Sequence, residues 1–241
     1  MTVLASLLLA SLLVGCVQNG RSCKTGASTP GRAVPLPVTA DVTLCAQVFG
    51  SGATAVVLAH ARGSDRRSWY PFAQELAQRG HSVLAFDFRG YGDSTGRRDD
   101  NNLIDLRVAI DYERAEGATR IVVIGASFGG TAAIIAASDG PTGAASPTGG
   151  ARPAGIAAVA SISGPNVWRK LDAVTAAEHL SVPALFAVAR SDEPYTSSIR
   201  QQAERAGVQA LEIDGSAHGT ALVAASAELR NSLIRLVEAA P

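Results

Sequence analysis

The sequence predicts an α/β domain in which helices cover both faces of a mostly parallel sheet. Three observations carry that expectation. Strand and helix signals alternate along most of the chain. A chain of 241 residues that is 47% hydrophobic can bury one large core. The apolar run at 121–124 stops at Gly125-Ala126-Ser127-Phe128-Gly129 and passes straight into the small-residue stretch 131–137. That is a strand, a sharp corner and a helix in immediate succession.

The elements follow in order. Residues 41–49 read as an antiparallel edge strand with room for a partner just before it, and 53–59 as a buried strand. Residues 69–79 form a helix closed by Gly80, and 82–86 the next strand. A helix over 103–115 is closed by Gly117. Strand 121–124 and helix 128–137 flank the corner. The Pro-, Gly- and Ala-rich passage 139–155 is a surface loop. Three further strands are expected at 156–162, 184–188 and 208–213, and helices at 195–206 and 220–238. No internal repeat is apparent.

The corner carries the chemistry. A serine hydroxyl is a poor nucleophile unless it stands proud of the backbone, beside a base and beside amide donors. A Gly-x-Ser-x-Gly strand-to-helix turn does this for Ser127, with Gly125 and Gly129 free of Cβ clashes. The bland alternative is a Gly/Ser turn of a parallel sheet. Formal net charge is zero and no basic run exists, so a nucleic-acid footprint is absent.

Order and content resemble the α/β-hydrolase fold over 38–241. Phe86-Asp87-Phe88-Arg89-Gly90-Tyr91-Gly92-Asp93-Ser94 is similar to that family's D-x-R-G-x-G-x-S segment. His60-Ala61-Arg62-Gly63 stands where the family has His-Gly-x. The resemblance implies a Ser, acid, His triad in that chain order. His218, after the last strand in Asp214-Gly215-Ser216-Ala217-His218-Gly219, is at a carboxyl end of the sheet, on the rim of Ser127. His81 and His179 sit at strand entrances, and the family's counterpart of His60 is structural. Aligning residues 182–188 with the family's equivalent strand puts Asp192 at the acid position, with adjacent Glu193 as the alternative. The backbone N–H groups of Phe128 and Arg62 fall at the oxyanion positions, with Ala61 departing from the usual Gly. The Arg62 side chain either covers the pocket mouth or is a solvated loop arginine.

The passage from 163 to 181 is too short for a large cap domain. An open, shallow pocket edged by Trp168 and Phe128 follows. This disfavours haloalkane dehalogenase and epoxide hydrolase branches, which also place Asp where Ser127 stands. The resemblance implies a small esterase, thioesterase or dienelactone-hydrolase-like enzyme that takes a small-molecule ester and uses neither metal nor cofactor. The alternative from another class is a non-catalytic surface lipoprotein that uses the fold as a binding module.

The N-terminus reads as targeting, the bland alternative being an apolar N-terminal helix docked on the domain. Residues 3–14 are almost wholly apolar, the length of a signal-peptide core and too short to span a bilayer. Leu13-Val14-Gly15-Cys16 resembles the lipobox of bacterial lipoproteins, although Met1-Thr2 lacks that family's Lys or Arg. The resemblance implies a signal peptide over 1–15, a lipidated Cys16, and an extracytoplasmic protein anchored to a bacterial membrane. Residues 16–37, rich in Gly, Ser, Thr and Pro, then read as a flexible tether. Cys23 and Cys45 either pair in an oxidising compartment, closing a loop of 22 residues, or stay as two free thiols.

Overall fold

The computed structural model describes Cys23 and residues 30–138 and 155–241. The signal-peptide reading, Cys16 and most of the passage at 139–155 lie outside the described residues. Eight strands form one sheet in the order β1-β2-β4-β3-β5-β6-β9-β10. They are β1 (Arg32–Pro37), β2 (Thr43–Phe49), β3 (Thr54–Ala59), β4 (Ser82–Phe86), β5 (Arg120–Ala126), β6 (Ile156–Ile162), β9 (Ala184–Ala189) and β10 (Leu211–Ile213). From β4 to β10 every neighbouring pair is parallel, while β2 runs antiparallel to both β4 and β1.

The central strands are buried on both faces, so their apolar residues alternate between two cores. In β3, Val57 joins one core, and Val56 and Leu58 join the other; in β5, Ile121 and Val123 oppose Val122 and Ile124. The first core lies under α2 (Asn102–Ala115), α3 (Phe128–Ser138), α4 (Ala173–Ala177) and α5 (Tyr195–Arg205). The second lies under α1 (Tyr70–Gln78), α6 (Thr220–Ala225) and α7 (Ala227–Glu238). This is the α/β-hydrolase architecture.

Three expectations need correction. Residues 32–37, assigned to the tether, form edge strand β1, with Arg32 opposite Val48 and Pro37 opposite Thr43. The folded domain therefore begins earlier than residue 38. The helix expected over 220–238 is two helices. Ser226 adopts an extended conformation between them, and its hydroxyl accepts from Leu229 N–H as the cap of α7. The strand expected at 208–213 shortens to Leu211–Ile213, because Val208 N–H donates to Ala203 O and closes α5 instead.

Between β6 and β9 the chain makes only a small hairpin, β7 (Val167–Trp168) with β8 (Leu171–Asp172), and the five-residue α4. Asp172 caps α4 by accepting from Val174 and Thr175 N–H. No cap domain stands over the sheet there. Cys23 and Cys45 are joined as a disulfide with Cα atoms 5.3 Å apart, pinning Cys23 to β2. Among the described residues no helix is long and apolar enough to cross a membrane.

Candidate active site

Ser127 occupies the corner between β5 and α3 with φ +52°, in the left-handed region that side chains rarely adopt. Surrounding hydrogen bonds hold it there. Its N–H donates to Ile162 O at 2.8 Å, and its carbonyl accepts from Gly130 N–H at 2.8 Å and Thr131 N–H at 3.2 Å. A Cβ on Gly125 would fall 2.2 Å from Gly129 O, so only glycine lets the helix fold back this closely on the strand. Ser127 is 7% exposed, and no Asp, Cys or other nucleophile type stands at that corner.

His218 lies in the loop between β10 and α6, and its Nδ1 is 2.8 Å from Asp192 Oδ2. Asp192 follows β9 and is 8% exposed. Its backbone is fixed by its own N–H to Ala189 O and by Tyr195 and Thr196 N–H donating to its carbonyl. Glu193 is directed elsewhere: its carboxylate accepts from the Ser197 hydroxyl at 2.9 Å. The residue after His218 ties its loop to the corner. Gly219 has φ +57°, and a Cβ there would meet Ala61 Cβ at 3.3 Å, Ala126 Cβ at 3.4 Å and Ser127 N at 3.9 Å. The loops that follow β3, β5 and β10 thus converge at one point, with His218 one residue from the contact.

Three residues that sequence reasoning passed over support this convergence. Ser163, fully buried with φ +52°, accepts from Gly219 N–H at 3.1 Å, and its own N–H donates to Ala187 O. The Tyr195 ring packs on the His218 imidazole with centroids 4.3 Å apart. Arg66, fully buried, fixes the turn after Arg62. Its N–H donates to Asp87 at 2.7 Å, and its guanidinium pairs with Asp87 and, at 2.8 Å, with Asp93. Asp87 and Asp93 are therefore structural carboxylates. The sequence signal for Arg66 was faint, because its burial depends on a partner loop 21 residues away.

His60 is also structural. Its Nδ1 donates to Ala61 O at 2.8 Å and its Nε2 accepts from Phe88 N–H at 3.1 Å, joining the loops after β3 and β4. Its ring packs against Phe88, Tyr91 and Phe128. Burial pushes its pKa down to about 4. The unfolded chain takes up this proton near pH 6.5, whereas the folded chain resists it until about pH 4. Stability from neutral His60 is therefore full above pH 6.5 and is lost as pH falls through that window, by about 3 kcal/mol in all. Urea unfolding at pH 7.5 and pH 4 is expected to show this loss in the wild type and a smaller one in His60→Gln. Equal pH slopes in the two proteins would contradict it.

The Arg62 and Phe128 amides follow β3 and β5 on the same rim, and neither donates to a protein carbonyl among the described residues. Phe128 is almost fully buried and Trp168 half-buried, with ring centroids 5.6 Å apart. Among the described residues no group of three His, Cys, Asp or Glu side chains is placed to hold a metal ion. An imidazole oriented by a carboxylate, in a loop whose next residue packs on a strained serine corner flanked by free amides, is the arrangement that can move a proton and stabilise an oxyanion.

Comparison with known proteins agrees with the architecture. The Pyrococcus furiosus esterase Pf2001 superposes with a TM-score of 0.69 at 19% identity, over 86% of this chain and 91% of that one. The dienelactone hydrolase of Anabaena variabilis superposes with a TM-score of 0.63 at 23% identity, over 86% of this chain and 96% of that one. At these identities the likeness concerns the fold. In sequence, the quorum-quenching protein AidA of Acinetobacter baumannii is 36% identical over 84 residues, which is 31% of this chain and 28% of that protein. The match thus spans under a third of that relative's length. The profile of the alpha/beta hydrolase fold family matches residues 54–187, more than half of the chain. The chain belongs to the alpha/beta hydrolase fold family.

Proposed function

We propose that this chain is a serine hydrolase that cleaves small carboxylic esters or thioesters through Ser127, His218 and Asp192. The observation that carries the reading is the 2.8 Å Asp192–His218 contact, in a loop whose Gly219 packs on the Ser127 corner. His218, held through Nδ1 by Asp192, takes the Ser127 proton as the oxygen attacks the ester carbonyl. The new C–O bond forms and the carbonyl π pair moves onto oxygen, where the Arg62 and Phe128 N–H groups receive it. Collapse expels the alcohol or thiol, which takes the proton from imidazolium and leaves an acyl-serine. Water, deprotonated by His218, then attacks the acyl carbon, and collapse returns the acid and free Ser127.

The absence of a cap over the β6–β9 passage supports small substrates approaching from an open rim. The esterase and dienelactone hydrolase neighbours are in keeping with this chemistry. Stopped-flow hydrolysis of p-nitrophenyl acetate and butyrate tests it. Saturable release of p-nitrophenol, with a burst where deacylation is slower, is the expected result. Absence of turnover above the His218→Ala background would contradict it.

We also propose, from Leu13-Val14-Gly15-Cys16, that the protein is exported and anchored through Cys16 to a bacterial membrane. Diacylglycerol supplies two chains, enough for stable anchoring where one acyl chain binds only marginally. In a bacterial host the protein is expected to label with palmitate and partition into detergent, and Cys16→Ser to do neither. Thiol blocking before and after reduction is expected to reveal Cys23 and Cys45 only after reduction. An aqueous-phase protein that retains Met1 would contradict the anchoring and leave the hydrolase reading intact.

A further inference from the structure

The rim around Ser127 carries a chain of rings with cations laid over it. Phe128 stacks with Tyr91 at 5.6 Å and contacts Trp168 at 5.6 Å. The Arg62 guanidinium lies 5.7 Å from the Trp168 centroid and that of Arg169 lies 5.9 Å from it, while Arg98 sits 4.1 Å over Tyr91. These separations are within the reach of cation–π attraction, which fixes the cations in place without neutralising them.

Strand order makes the Arg62–Trp168 contact more than a surface pairing. Arg62 follows β3, Ser127 follows β5 and Trp168 follows β6, and these strands are neighbours in the order β3-β5-β6. A side chain that starts beyond β3 and ends on an indole beyond β6 must cross above the end of β5. The Arg62 guanidinium therefore spans the approach to Ser127. Of the other cations there, Arg169 pairs with Asp100 and Arg89 is held by Asp105 and Asp99, while Arg98 lies over Tyr91 and donates through Nε to Gly90 O without a carboxylate partner among the described residues. Arg62 has no carboxylate partner among the described residues. Beside Trp168 lies a narrow cleft of about 20 Å³, whose lining includes Arg89, Arg98 and Arg169 against the single carboxylate of Asp99.

We propose that this site selects esters carrying a carboxylate away from the scissile bond, with Arg62 as the residue that reads it. The proposal rests on the serine-hydrolase reading and names the substrate class of that same site. A planar guanidinium fork matches a carboxylate in two parallel hydrogen bonds. An unpaired cation beside the approach to Ser127 also raises the local concentration of anionic substrate in a salt-dependent way. An uncharged ester gains neither.

Two matched substrate pairs test the proposal. One is 4-acetoxybenzoate against its methyl ester, which places the anion on the alcohol side. The other is monoethyl glutarate against ethyl methyl glutarate, which places it on the acyl side. The readout is the anionic-to-neutral ratio of kcat/KM, because Arg62 also contributes a backbone N–H to the reaction. For at least one pair, Arg62→Gln is expected to lower that ratio about tenfold, chiefly through KM, and Arg62→Lys to restore part of it. Raising the salt from 20 mM to 500 mM, about a fivefold shortening of the screening length, is expected to lower the wild-type ratio and to leave that of Arg62→Gln nearly flat. Ratios unchanged by Arg62→Gln in both pairs, with the esters still hydrolysed, would overturn the substrate class alone. A wild-type protein that cleaves none of the four esters and leaves a fluorophosphonate unreacted would overturn the hydrolase reading and this inference with it.

Discussion

Ser127→Ala is expected to lower kcat for p-nitrophenyl butyrate by about 10⁴- to 10⁶-fold while the protein remains folded. The substitution removes one hydroxyl from a corner that backbone hydrogen bonds to Ile162, Gly130 and Thr131 already hold, so the fold loses little. What remains is the contribution of the amide donors and of binding, which is far below the full rate. Circular dichroism and a urea midpoint close to wild type are expected alongside the lost activity. More than a few per cent residual turnover in a clean preparation would contradict the role of Ser127.

Asp192→Asn carries the second largest expected effect, about 10⁴ in kcat, because an amide cannot hold the imidazole in the tautomer that a carboxylate selects. The Asp192 carboxylate lies 2.8 Å from His218 Nδ1, so the loss falls on orientation and on the imidazolium formed during the reaction. Glu193→Gln is expected to change kcat less than about threefold, since that side chain faces Ser197. Steady-state kinetics on the two variants separates the adjacent acids. A reversed result would move the acid role to Glu193 and contradict the account of the His218 loop.

The parts of this fold that were legible in the sequence are those whose signal is local. The β5 run, its Gly-rich corner and the small-residue α3 are continuous in sequence, and β6 at Ile156–Ile162 is apolar except for Ser161. Strand β1 was legible only as room for a partner before β2, because Pro30, Gly31, Pro35 and Pro37 carry the composition of a linker. At a sheet edge proline is tolerated, since one side of the strand needs no donor, and β1 pairs only with β2. The break at Ser226 escaped notice for a different reason. Alanine-rich flanks favour a continuous helix, and the serine's capping of Leu229 appears only once the chain has turned.

Of the site, the serine corner was legible from its own ten residues, whereas its supports were not. Asp192 and His218 could be reached only through chain order and strand alignment, because 26 residues separate them. Ser163 sits in an ordinary Ser-Gly-Pro turn, and its link to Gly219 spans 56 residues. Arg66 reads as a surface charge until Asp87 and Asp93 close around it. Long-range polar pairing of this kind leaves no periodic trace for a sequence to show.

The central claim is that Ser127 is a nucleophile activated by the His218–Asp192 pair, and active-site titration with a fluorophosphonate tests it most directly. Wild-type protein is expected to react with close to one equivalent, with the mass increment on the peptide that contains Ser127. His218→Ala is expected to react at least a hundredfold more slowly, because the base that draws the proton from the serine is gone. A wild-type protein that stays unmodified, or is modified at a residue other than Ser127, would contradict the account.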